Sequence, residues 1–176
     1  MNAYLIEDGD GVVVFRDVGR EEPVSPVEAV DYREAGPDFS GRIAALLDRA
    51  RTDLVVMAGF IRRWEIPERY RGRVMNIHPA LLPAFGGQGF YGERVHRAVL
   101  ASGAKFSGAT VHFVDEEMDH GPIIVQAALP VYPDDTEDSL SARILIQEHR
   151  IYPQALQLFA EGRLEVRNGR VIVHNE

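Results

Sequence analysis

Apolar positions along this chain switch between a period of two and a period of three to four. The order of the switches predicts an α/β protein with a mostly parallel sheet. Two short alternating runs, Ala3 to Ile6 and Val12 to Phe15, flank the turn-forming series Glu7-Asp8-Gly9-Asp10-Gly11 and predict a hairpin. Residues 21 to 40 carry Pro23, Pro26, Gly36 and Pro37, which predicts connection with one short strand from Val27 to Asp31. Ser40 is placed to cap a helix from Gly41 to Arg51, on which Ile43, Leu46 and Leu47 share a face. Leu54 to Ala58 then predicts a buried strand, Pro67 to Tyr70 a short helical connection, and Arg73 to Ile77 another strand. Further on, Glu93 to Ser102 predicts a helix, and Ala109 to Val114 and Ile123 to Leu129 predict strands. Glu137 to Ala160 follows as a long amphipathic helix, bent or interrupted at Pro153. Asn168-Gly169 between β-rich segments is a hairpin signal. No repeat or boundary divides the chain, so a single domain over residues 1 to 176 is expected.

The chemistry gathers where two of these strands end. In an extended chain residues two apart point to one face, so Asn76 and His78 can converge. Pro79 keeps His78 extended, and Pro83 with Gly86 and Gly87 forces a loop beyond the strand. An amide can donate to a developing oxyanion, and an imidazole carries protons near neutral pH. An isolated Asn-x-His would be an ordinary strand end. Here it is joined by VHFVDEEMDHGPIIVQ, residues 111 to 126, which predicts a strand, a tight polar loop with Asp119 at its tip, and a returning strand. A carboxylate against His78 would hold the ring's orientation and favour its cation.

Four pieces occur in order: DLVVMAGFIRR at 53 to 63, MNIHPALLPAFGG at 75 to 87, SGATVHFVDEEMDHGPIIVQ at 107 to 126, and TEDSLSARILIQEHRIYPQALQLFAEGRL at 136 to 164. In these the chain resembles the folate-dependent formyltransferases, specifically the phosphoribosylglycinamide formyltransferases of purine synthesis. Residues 53 to 164 carry the resemblance and residues 1 to 40 diverge from it; Ala80 stands where Ser is frequent in the family. The resemblance implies a Rossmann-like formyltransferase fold, truncated or altered at its N-terminus. It implies an enzyme in which the co-substrate 10-formyltetrahydrofolate donates its formyl group to the amine of glycinamide ribonucleotide, with no metal. Asn76, His78 and Asp119 would then be catalytic. Ile61, Arg62, Arg63, Val114, Asp115, Glu116 and Asp119 would meet the folate, and Gly86, Gly87 and Glu148 the acceptor. His96 also matches a family position near the active-site loop. The family's glycine-serine-asparagine loop, which holds the acceptor phosphate at a helix start, is not found in residues 1 to 40. Acceptor binding is therefore expected to be impaired while folate binding persists.

Composition narrows the range of functions. A formal net charge of −8 argues against a broad nucleic-acid interface, which needs a dense basic face. No apolar run reaches membrane-spanning length and the N-terminus is not signal-like, so a cytoplasmic protein without a membrane partner is expected. The absence of cysteine excludes disulfides and thiolate metal sites. A homodimer stays open. The nearest enzymatic rival is a formyltetrahydrofolate hydrolase, but that family usually carries a second His where this chain has Pro79. A formyltransferase for a different amine acceptor and a noncatalytic folate-binding module stay open beside it.

Overall fold

The computed structural model describes the backbone of residues 2–8, 11–17 and 26–175, and side chains from residue 29 onward. The expected turn residues Gly9 and Asp10 and the connection at 18–25 lie outside the described residues. The chain divides into two compact units, Met1–Asn76 and Ile77–Glu176.

In the first unit, β1 (Asn2–Asp8) and β2 (Gly11–Asp17) pair antiparallel, and β2 pairs antiparallel with β3 (Pro26–Asp31). On its other side β1 runs parallel to β4 (Leu54–Ala58), with Asn2 opposite Leu54 and Ile6 opposite Ala58. After β3, Asp31 caps the short helix α1 (Tyr32–Ala35) by accepting the amides of Arg33 and Glu34 at 2.7 and 2.8 Å. The helix α2 (Phe39–Arg49) follows one turn of 3-10 helix at Gly36–Asp38. Phe39, Ile43, Ala44, Leu46 and Leu47 are its buried residues, the three-to-four spacing that turns one face inward. The helix starts two residues earlier than Ser40 predicts, so Ser40 lies within its first turn. Its hydroxyl instead accepts the Glu65 amide at 3.0 Å and ties the loop after β4 to the helix. The Val55 amide bonds the Arg73 carbonyl at 2.8 Å, so the chain entering β5 (Val74–His78) runs beside β4.

The second unit begins within β5. It contains the helix α3 (Glu93–Ser102) and the antiparallel strands β6 (Phe106–Phe113) and β7 (Ile123–Pro130), with the 24-residue helix α4 (Glu137–Ala160) packed on both. Thr136 and Ser139 exchange hydrogen bonds in a capping box, and Asp135 holds Arg143 and the Ser139 hydroxyl. Leu140, Ile144, Ile151, Ala155 and Leu158 bury one face of α4. The helix is assigned without interruption across Pro153, because this apolar face is anchored on both sides of the proline. The expected hairpin closes the chain as β8 (Leu164–Arg167) and β9 (Arg170–Val173), with Asn168 and Gly169 both at positive φ between them.

Candidate active site

Within the second unit, His78 and Asp119 meet. His78 ends β5 and Asp119 sits in the loop between β6 and β7, with 3.4 Å between His78 Nδ1 and Asp119 Oδ2. Their side chains are only 5% and 8% exposed, so little water screens the pair. The other ring nitrogen lies 2.8 Å from the Phe85 carbonyl oxygen. A carbonyl only accepts, so Nε2 carries a hydrogen, and a ring protonated at both nitrogens donates on both sides.

Local backbone geometry aims the carboxylate. Asp119 has φ +57°, in the left-handed region, and the Gly87 amide donates to its Oδ2 at 3.0 Å. Asp115 shapes the same loop, accepting the Glu117 amide at 2.9 Å through Oδ1 and pairing with His120 Nδ1 at 2.8 Å through Oδ2. Two glycines permit the close approach. A Cβ at Gly121 would lie 1.9 Å from the Phe113 carbonyl oxygen, and one at Gly86 would lie 2.4 Å from Leu82 Cδ2 and 3.1 Å from Asp119 Cβ. An open cleft of about 210 Å³ lies beside Asp119 and the glycine loop, with Leu82, Pro83, Gly86, Gly87, Met118 and Asp119 in its wall and His78 behind that wall rather than in it.

Three further imidazoles around the site differ in environment. His112 is 1% exposed, with Nδ1 2.8 Å from the Phe113 carbonyl and Nε2 3.9 Å from Asp119 Oδ1; burial pushes its pKa down and keeps it neutral. Burial also lowers His96 on α3, against the charge of Glu137, which raises it. His120 is exposed and held above its ordinary value by the hydrogen bond to Asp115. Among the described residues no group of three His, Cys, Asp or Glu side chains is arranged to hold a metal ion.

His78, Gly86, Gly87 and Asp119 are thus brought together. Asn76 is the last residue of the first unit, half-buried and two positions before His78 on β5. Ile61, Arg62 and Arg63 follow β4 in that first unit, where the Arg62 guanidinium stacks 4.7 Å over the Tyr32 ring. Val114 and Asp115 are half-buried at the start of the Asp119 loop, and Glu116 is exposed. Glu148 lies half-buried on α4, where burial pushes its carboxyl up. The sequence reading missed the Phe85 carbonyl and the Gly87 amide as partners of the His78–Asp119 pair. Backbone groups leave no residue-type signal, and only the clustering of Pro83, Gly86 and Gly87 pointed to a tight loop.

Residues 2–156 match the family model described as formyl transferase. The chain belongs to the formyl transferase family. It is 40% identical over 179 residues to the chloroplastic phosphoribosylglycinamide formyltransferase of Arabidopsis thaliana, covering 98% of this chain and 56% of that protein. To the phosphoribosylglycinamide formyltransferase of Escherichia coli it is 38% identical over 161 residues, covering 90% of this chain and 72% of that one. The crystal structure of glycinamide ribonucleotide transformylase 1 from Symbiobacterium toebii matches with TM-score 0.72 and 46% identity, over 78% of this chain and 63% of the other. These likenesses place the chain in the phosphoribosylglycinamide formyltransferase branch, with the Rossmann-like α/β fold of the family. The chain spans just over half the length of the plant relative.

Proposed function

We propose that this chain, acting as a single formyltransferase-like domain, transfers the formyl group of 10-formyltetrahydrofolate to the amine of glycinamide ribonucleotide, in the cytoplasm and without a metal. The observation that carries the reading is the buried His78–Asp119 pair beside the Gly86-Gly87 loop, in a chain of this family. In the proposed reaction the amine attacks the formyl carbon, the carbonyl oxygen becomes negative, and the tetrahedral intermediate then collapses by breaking the bond between the formyl carbon and the folate nitrogen, which leaves as tetrahydrofolate with the proton the amine gives up. Asn76 and protonated His78 stabilise that oxygen, and Asp119 sustains the His78 charge and organises proton transfer. The assignment of Asn76 rests on strand alternation, which turns residues 76 and 78 to the same face. His78 Nε2 donates to the Phe85 carbonyl in this structure, so the Phe85 oxygen holds the ring in place until a substrate oxygen replaces it.

The folate is assigned to Ile61, Arg62, Arg63 and the 114–119 loop, and the acceptor to Gly86, Gly87 and Glu148. Half-burial and the raised pKa of Glu148 suit a carboxyl that meets a cationic or hydrogen-bonding group of the acceptor. The test is product formation by the purified chain with 10-formyltetrahydrofolate and glycinamide ribonucleotide, run beside a reaction lacking the acceptor. Formylated acceptor above the control supports the transferase, and folate deformylation at the same rate in both reactions refutes it.

A further inference from the structure

Two side chains outside the proposed chemistry, Thr110 and Gln126, form hydrogen bonds to the loop that follows β5. Thr110 on β6 is completely buried and stands directly opposite Gln126 on β7. Its hydroxyl donates to the Ala80 carbonyl at 2.7 Å and accepts both the Leu82 amide at 3.1 Å and Gln126 Nε2 at 2.9 Å. A hydroxyl has one hydrogen to give and two lone pairs to offer, so Thr110 is saturated. Gln126 Nε2 also donates to the Leu82 carbonyl at 3.0 Å. Both backbone groups of Leu82 are therefore held by this pair of side chains.

Leu82 is the residue through which that hold reaches the chemistry. It is 5% exposed and forms part of the cleft wall. Gly86 fits between the Leu82 side chain and Asp119 so closely that a single added carbon would meet both. The next residue, Gly87, donates its amide to Asp119 Oδ2, and the residue before, Phe85, offers its carbonyl to His78 Nε2. We propose that Thr110 and Gln126 are positioning residues that clamp Leu82 as the backstop of the 85–87 loop, and so set the alignment of the Asp119 carboxylate and the His78 ring. This rests on the formyl-transfer reading only for its effect on turnover. The clamp itself is a statement about loop geometry.

The test uses the whole chain in the variants Thr110→Val, Thr110→Ser and Gln126→Met. Valine keeps the shape of threonine and removes the hydroxyl, serine keeps the hydroxyl, and methionine keeps the length of glutamine without its donors. Amide hydrogen exchange at Leu82 and Gly87 is measured beside kcat and KM for the formyl donor. In Thr110→Val both amides should exchange at least about tenfold faster and kcat should fall by about 10- to 100-fold, with KM changed less, because misalignment acts on the reacting geometry. Thr110→Ser should stay within about threefold of the parent chain. Gln126→Met should lie between the two; its exposed position keeps the test available should the valine variant fail to fold. The proposal is overturned if Leu82 loosens while Gly87 and kcat stay unchanged, or if serine is as damaging as valine. If the parent chain transfers no formyl group, the functional reading fails, and exchange at Gly87 still decides the clamp.

Discussion

Two histidine–aspartate pairs draw their carboxylates from the one loop between β6 and β7, and they carry opposite lessons. His120 and Asp115 are 2.8 Å apart with side chains 64% and 28% exposed, whereas His78 and Asp119 are 3.4 Å apart and almost wholly buried. By distance alone the first pair is the stronger. Solvent weakens the first, because an exposed ion pair is screened and loses side-chain entropy, while the second sits where little water screens it. The longer contact is also the one built into the fold. Asp119 is held by the Gly87 amide and His78 by the Phe85 carbonyl, so both are oriented before any substrate arrives.

The most severe way to break this comparison is to remove the buried ring. His78→Ala should lower turnover by about 10²- to 10⁴-fold with little change in folate affinity, read from steady-state rates and a folate titration. Unchanged turnover would take His78 out of the mechanism. The next effect is steric. Gly86→Ala puts a carbon against Leu82 and Asp119, and displacement of the carboxylate should lower kcat by roughly 10- to 100-fold, with the fold retained by circular dichroism.

Gly121→Ala moves the test from activity to stability. Its new carbon would meet the Phe113 carbonyl, which is backbone and cannot swing away. The denaturation midpoint should fall by the equivalent of about 1–3 kcal/mol. The smallest effect is expected at the exposed pair, where His120→Gln should leave turnover within about threefold. His120 is raised by its bond to Asp115, with the charges of Asp115 and Glu117 adding to the shift. The pair's contribution is therefore complete below about pH 6.5 and is lost as pH rises through the folded-state value. Comparing the denaturation midpoints of parent and variant on either side of that pH should show a difference only on the acid side.

Much of this was legible in the residues. Burial periodicity placed Ile43, Leu46 and Leu47 on one face of α2, and Asn168-Gly169 marked the last hairpin, because these signals are local and decided by solvent and backbone sterics. The meeting of His78 with Asp119 was legible for another reason, since each ends or follows a strand and carries a side chain of recognisable chemistry. Ser40 was misread as a cap because the same hydroxyl can satisfy either its own helix or a distant amide, and Glu65 is 25 residues away. The clamp of Thr110 on Leu82 was hidden in the same manner. A threonine in a strand looks like a β-former, and only the fold shows that its hydroxyl faces a loop 28 residues earlier.

The left-handed backbone at Asp119 carries a consequence for how this protein can change over generations. At φ +57° glycine is the residue the main chain prefers, and a change from aspartate to glycine would relieve local strain. The carboxylate would vanish with it. The Gly87 amide would lose its acceptor at the same time, which offsets the backbone relief, so selection for folding alone would hold this position weakly while selection for the proposed formyl transfer would hold aspartate in place. Random variants sorted for folding should tolerate glycine at this position, and those sorted for activity should reject it.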